Sequence, residues 1–126
     1  MATLTRTEMM LAGYRCYASR EDVRPCDAEE TMRQIGLGTT LAVSGGRWLR
    51  VYNAQGADKT EVGVLLPCGS ARAVEVVLNS FDVYEVRRVR LVTRGEDRGN
   101  VVVEAELTNV FCDELREAVY QLSCWR

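Results

Sequence analysis

The spacing of hydrophobic positions changes twice along the chain. Up to about residue 35 they recur at helical intervals, from 39 to 108 they mostly alternate, and beyond 109 the helical spacing returns. In the stretch 3–18, Leu4, Met9, Leu11, Tyr14 and Tyr17 stand among polar residues, which predicts a helix weakened by Gly13. A polar loop, 19–26, contains Pro25. Asp27 then precedes Glu30 by three residues, an N-cap and N3 arrangement that predicts a short helix over Ala28–Ile35, stopped by Gly36 and Gly38.

The middle of the chain reads as strands. In 39–44, Leu41 and Val43 alternate with Thr40 and Ala42. Gly45-Gly46 then supplies a two-residue hairpin turn into a second alternating stretch, 47–53. A loop over 54–60 leads to a short strand, 61–66, ended by Pro67, and Gly69 and Ser70 turn the chain. The clearest strand is Arg72–Leu78, with Val74, Val76 and Leu78 on one face, followed by a turn over 79–82. The strand 83–92 has a phase conflict. Tyr84 and Val86 share one parity, and Val89 and Leu91 share the other, so one face of a flat strand cannot bury both pairs. A β-bulge at Arg87-Arg88 would restore the register. After a polar loop, 93–99, a last strand over 100–107 puts Val101, Val103, Ala105 and Leu107 opposite Glu104 and Glu106.

At the C-terminal end, Thr108 or Asn109 caps an amphipathic helix whose stripe is Phe111, Leu115, Ala118/Val119 and Leu122. Asp113 and Glu114 in its early turns suit the helix dipole. The predicted fold is one α+β domain over residues 1–126. It comprises a helical segment 1–35, a sheet 39–108 and a C-terminal helix 109–124. The antiparallel sheet has about five to six strands, with the N-terminal helices and the C-terminal helix packed on one face.

Composition narrows the function. The 126 residues carry sixteen basic and eighteen acidic side chains, a net charge of −2, which argues against a protein that coats duplex DNA by charge alone. There is no histidine, and Lys59 is the single lysine beside fifteen arginines. No apolar run reaches the roughly 20 residues of a membrane span, and residues 1–19 lack a signal-peptide core, so a cytoplasmic setting is expected. Cys16, Cys26, Cys68, Cys112 and Cys124 are odd in number, widely spaced and without a C-x-x-C pair, so they read as small buried hydrophobes.

Catalytic designs fail in turn. Ser44 before Gly45-Gly46 has no histidine base and no G-x-S-x-G context, and no cysteine has a histidine partner. Asp82, Glu85, Asp113, Glu114 and Glu117 offer carboxylates for acid–base or Mg²⁺ work, but no spacing selects a pair. The glycine-rich stretch 35–40 lies between a helix and a strand, the reverse of a phosphate loop, and lacks its lysine. No enzyme, metal or cofactor is expected. The stronger signal is a surface. Trp48, Arg50 and Tyr52 share a strand face, and Arg87, Arg88, Arg90, Arg94 and Arg98 crowd a strand and its turn. Aromatics with arginines suit stacked bases and phosphates of single-stranded nucleic acid, or a protein partner. Glu85, Glu96 and Asp97 beside the arginines leave surface ion pairing as the alternative. The terminal Trp125 is a further candidate anchor.

Several segments, in order, resemble a widespread group of small uncharacterised proteins of bacteriophages and prophages. They are Met32-Arg33-Gln34-Ile35-Gly36, Leu41-Ala42-Val43-Ser44-Gly45-Gly46, Val64-Leu65-Leu66-Pro67, Val74-Glu75-Val76-Val77-Leu78, Asp82-Val83-Tyr84-Glu85-Val86 and Asn109-Val110-Phe111-Cys112-Asp113-Glu114-Leu115. The resemblance spans 31–124. Ser44-Gly45-Gly46 departs from the Met-Thr-Gly-Ala turn of that group, Val83 and Glu85 alter its Asp-Thr-Tyr-Asp strand entry, and Phe111 replaces a tyrosine. The group carries no activity or site residue over to this chain. It implies a phage or mobile-element origin and the cytoplasm of an infected bacterium. The expectation is a non-enzymatic binding protein of host takeover or counter-defence, such as an anti-CRISPR-like inhibitor, acting on a host or phage protein. The alternative is a single-stranded nucleic-acid-binding accessory factor in phage DNA metabolism. No membrane partner is expected, and self-association stays open.

Overall fold

A computed structural model describes residues 15–16, 24–53, 60–69, 71–79, 81–92, 94–96 and 100–123. The elements are β1 (Arg15–Cys16), α1 (Ala28–Ile35), α2 (Leu37–Ser44), β2 (Leu49–Asn53), β3 (Glu61–Gly69), β4 (Arg72–Leu78), β5 (Tyr84–Leu91), β6 (Val101–Val110) and α3 (Leu115–Leu122), with a 3₁₀ turn (Cys112–Glu114) before α3. The sheet follows chain order from β1 to β6. Strands β2 to β6 form an antiparallel meander, and β1 pairs parallel to β2. This is the expected α+β arrangement. Most of the first predicted helix lies outside the described residues, but Arg15 and Cys16 within it are extended, not helical.

Helix α1 starts where the Asp27 side chain accepts the backbone N–H groups of Glu29 and Glu30, at 3.0 and 3.2 Å. Glu30 turns to Arg33 instead of closing a capping box. Gly36, at φ 90°, ends α1 but does not end helical structure. The predicted strand over 39–44 is helix α2. Thr40, Val43 and Ser44 are buried at helical spacing, and the hydroxyls of Thr40 and Ser44 bond back to the carbonyls of Gly36 and Thr40. The Gly45-Gly46 pair, read as a hairpin turn, closes this helix. Gly45 takes the left-handed conformation (φ 67°) and donates to Leu41 O. A hairpin turn and a helix end both demand positive φ, so the glycines alone cannot tell them apart.

Strand β3 runs on through Pro67 to Gly69. Pro67, which cannot donate to a ladder, lies beyond the last β2 pair (Leu49 with Leu65) and pairs with Ala73, and a register shift follows between Pro67 and Gly69. Both faces of the sheet are buried. Val64, Leu66, Val74, Val76 and Val86 pack with Ile35 and Val43 of the first helices and with Leu115 and Val119 of α3. Val51, Val62, Leu65, Ala73, Val77, Val89 and Leu91 form a second cluster on the opposite face. This removes the phase conflict in β5. Tyr84 and Val86 belong to one core, Val89 and Leu91 to the other. Pairing of β5 with β4 is uninterrupted, so β5 carries no bulge at Arg87-Arg88. The register shifts occur against β6, where the extra residues are Glu104 and one of Thr108 and Asn109, the latter at φ 55°. Among the described residues, no helix is long and apolar enough to cross a membrane.

Candidate interaction surface

The arginines expected to share one surface are divided by the pleat of β5. Odd-numbered Arg87 points to the second face and is 1% exposed. Its Nη1 donates to Glu75 at 2.9 Å, its Nε to Glu106 at 2.5 Å, and its Nη2 to Glu85, whose other oxygen accepts from Asn79 at 3.2 Å. Burial alone would lower the guanidinium's pKa. The charge and hydrogen bond of Glu75, with Glu106 and Glu85, override it and hold the pKa above the ordinary arginine value. Arg87 is therefore an internal counter-ion and is removed from the candidate surface.

Even-numbered Arg88 and Arg90 point to the other face and share Glu104 with Arg72. The bulge in β6 brings this about, since Glu104 is the additional residue. The distances are 2.8 Å from Arg72 Nε, 3.1 Å from Arg90 Nε and 3.3 Å from Arg88 Nε. The hydrogen bond from Arg72, then its charge and Arg90, hold the Glu104 carboxyl below the ordinary glutamate range despite some burial. Arg94 is exposed in the turn after β5, and Arg98 lies outside the described residues.

Trp48 and Arg50 do come together. The Arg50 guanidinium lies over the Trp48 ring, 4.9 Å from its centroid, and pairs with Glu29 of α1 and Glu61 of β3. Tyr52 lies beyond a register shift at Val51/Tyr52 and is half-buried opposite Glu61. Trp48 packs partly against the first core, and its remaining surface lines an open groove of about 330 Å³ with Met32, Leu37, Glu29 and Arg33. Leu37 and Leu41, one turn apart on α2, are 73% and 54% exposed beside it. The groove therefore has an apolar base and a charged rim of both signs. It can take an apolar side chain.

Sequence reasoning missed Leu37 and Leu41 because 39–44 was read as a strand, where Leu41 would face a core. The available signal was the i, i+4 spacing of the two leucines on a helix beginning at Gly36. Of the cysteines, Cys68 is buried, Cys26 is half-buried and Cys112 is exposed, so the reading of all five as buried fails at Cys112. The side chains of Cys16 and Cys124, and Trp125, lie outside the described residues. Among the described residues, no group of three or more cysteines and carboxylates is arranged to hold a metal ion. Compared with family models, curated proteins and solved structures, the chain matches none.

Proposed function

We propose that this is a non-enzymatic binding protein of phage type. It acts by surface contact with a host or phage protein or complex, in host takeover or counter-defence, as anti-CRISPR-like inhibitors do. The supporting observation is the pair of outward leucines, Leu37 and Leu41, beside the Trp48 groove. A small domain gains nothing in its own fold from leucines turned to water, and clustered apolar exposure rimmed by charge is what a protein partner covers. Full burial of a leucine is worth about 1.5–3 kcal/mol, and since these two are already partly covered, completing their burial supplies about 2–4 of the roughly 8 kcal/mol of micromolar affinity. The test is affinity capture from nuclease-treated bacterial lysate with the wild-type chain and a Leu37→Glu, Leu41→Glu variant. A partner retained by the first and lost by the second supports the reading. Equal capture by both refutes it.

Single-stranded nucleic-acid binding is the second reading, favoured by the arginine–tryptophan stack at Arg50 and Trp48. It is weakened by the ion pairs that engage Arg50, Arg87, Arg88 and Arg90. No mobility shift of a labelled oligonucleotide at low salt with micromolar protein would eliminate it.

A further inference from the structure

The far edge of the sheet presents a second surface, independent of the leucine groove. Strand β6 is ten residues long and lies at the end of the strand order, paired only with β5 among the described strands. Alternate backbone N–H and C=O groups along such an edge point outward and can be completed only by water or another extended chain. Val102 and Val103 on it are 40% and 41% exposed, and no described strand pairs with its outer side. Its C-terminal half continues into a groove of about 480 Å³ beside α3. Leu107, Val110 and Ala118 give this groove apolar walls, while Asp113, Glu114 and Glu117 give it exposed carboxylates. Among the described residues that line it, none is basic. Glu114 already accepts the Phe111 N–H at 3.2 Å, which fixes its place at the groove mouth.

We propose that the β6 edge and this groove form a docking site for a short, basic, extended segment of a partner protein, added alongside β6. The edge supplies backbone hydrogen bonds, the carboxylates attract lysine or arginine, and the apolar walls take the alternate side chains. A second copy of this chain is the poorer occupant for two reasons. Antiparallel pairing of β6 with itself would set each acidic groove beside strand residues 101–104 of the other copy, which carry Glu104 and no basic side chain to meet it. The irregularities at Glu104 and at Thr108/Asn109 also break the edge into short regular stretches, which obstruct sheet-to-sheet fusion but leave room for a peptide.

The test uses the full chain and three labelled ten-residue peptides. One alternates lysine with valine and threonine, one has glutamate for each lysine, and one is the lysine peptide N-methylated at alternate amides. The lysine peptide should bind, more weakly as salt rises, and should slow hydrogen exchange of β6 amides. The glutamate peptide should not bind. N-methylation removes two or more backbone hydrogen bonds and should weaken binding by at least about tenfold. Asp113→Asn should also weaken it several-fold, at unchanged stability. No binding at millimolar peptide, equal binding of the N-methylated peptide, or self-association that protects β6 would each overturn the proposal.

Discussion

Replacing Arg87 by methionine keeps most of the side-chain volume and removes the cation that Glu75, Glu85 and Glu106 share. The three carboxylates are unequal. The side chains of Glu75 and Glu85 are 0% and 11% exposed, whereas Glu106 is 40% exposed and can turn to water. The cost therefore falls on the first two. Breaking a buried ion pair by removing one partner costs about 3–5 kcal/mol. With a urea slope of about 2 kcal/mol per molar, that moves the unfolding midpoint down by about 2 M. The whole fold is worth only about 5–15 kcal/mol, so the variant should be marginal at 37 °C. Arg87→Lys keeps the charge but cannot reach three carboxylates at once, and should fall between wild type and methionine. The assay is urea denaturation of the three proteins at low salt and at 1 M salt, where the Debye length is about 3 Å. A buried cluster is poorly screened, so the loss should persist in high salt. A midpoint shift below about 0.5 M, or a loss that vanishes in high salt, would show that Arg87 is not an internal counter-ion.

Three further outcomes follow from particular contacts. Gly63→Ala would place a Cβ 1.9 Å from the Val76 carbonyl oxygen in the middle of the sheet, so it should cost about 3 kcal/mol in urea unfolding; near-wild-type stability would contradict the close approach. The Glu104 carboxyl is held below its ordinary value, so its contribution is present above the unfolded value of about 4.3 and lost as pH falls through the folded one. The stability gap between wild type and Glu104→Gln should therefore close below about pH 4, and a gap constant from neutral to acid would refute this. In thiol alkylation, exposed Cys112 should react before Cys26, whose thiol pKa is raised by burial and by nearby Glu61 and Asp27 despite a hydrogen bond from Thr31. Mass mapping that finds Cys26 first would contradict the burial.

How far the sequence was legible depended on whether a signal had one structural meaning. Asp27 before a short helical stretch has one, and so has Arg72–Leu78 as a core strand. Gly45-Gly46 has two, because a hairpin turn and a left-handed helix end make the same demand on φ, and the helix Leu37–Ser44 was lost to that ambiguity. The conflict of parity in β5 was correctly seen, but its cause was a second buried face, which local spacing cannot distinguish from a bulge. The candidate surface suffered similarly. Trp48 and Arg50 do meet, yet adjacent arginines on a strand point to opposite faces, so Arg87 and Arg88 could not both serve one surface. The partners that neutralise them, Glu75 and Glu104, come from neighbouring strands and are invisible without the register.

The central claim is that a protein partner covers Leu37 and Leu41 beside Trp48. Its most direct measurement is hydrogen exchange of the chain alone and bound to the partner captured from nuclease-treated lysate. Slower exchange concentrated in α2 and at the start of β2, and lost with the Leu37→Glu, Leu41→Glu variant, is the predicted result. Unchanged exchange there, with the partner bound equally by the variant, would contradict the account.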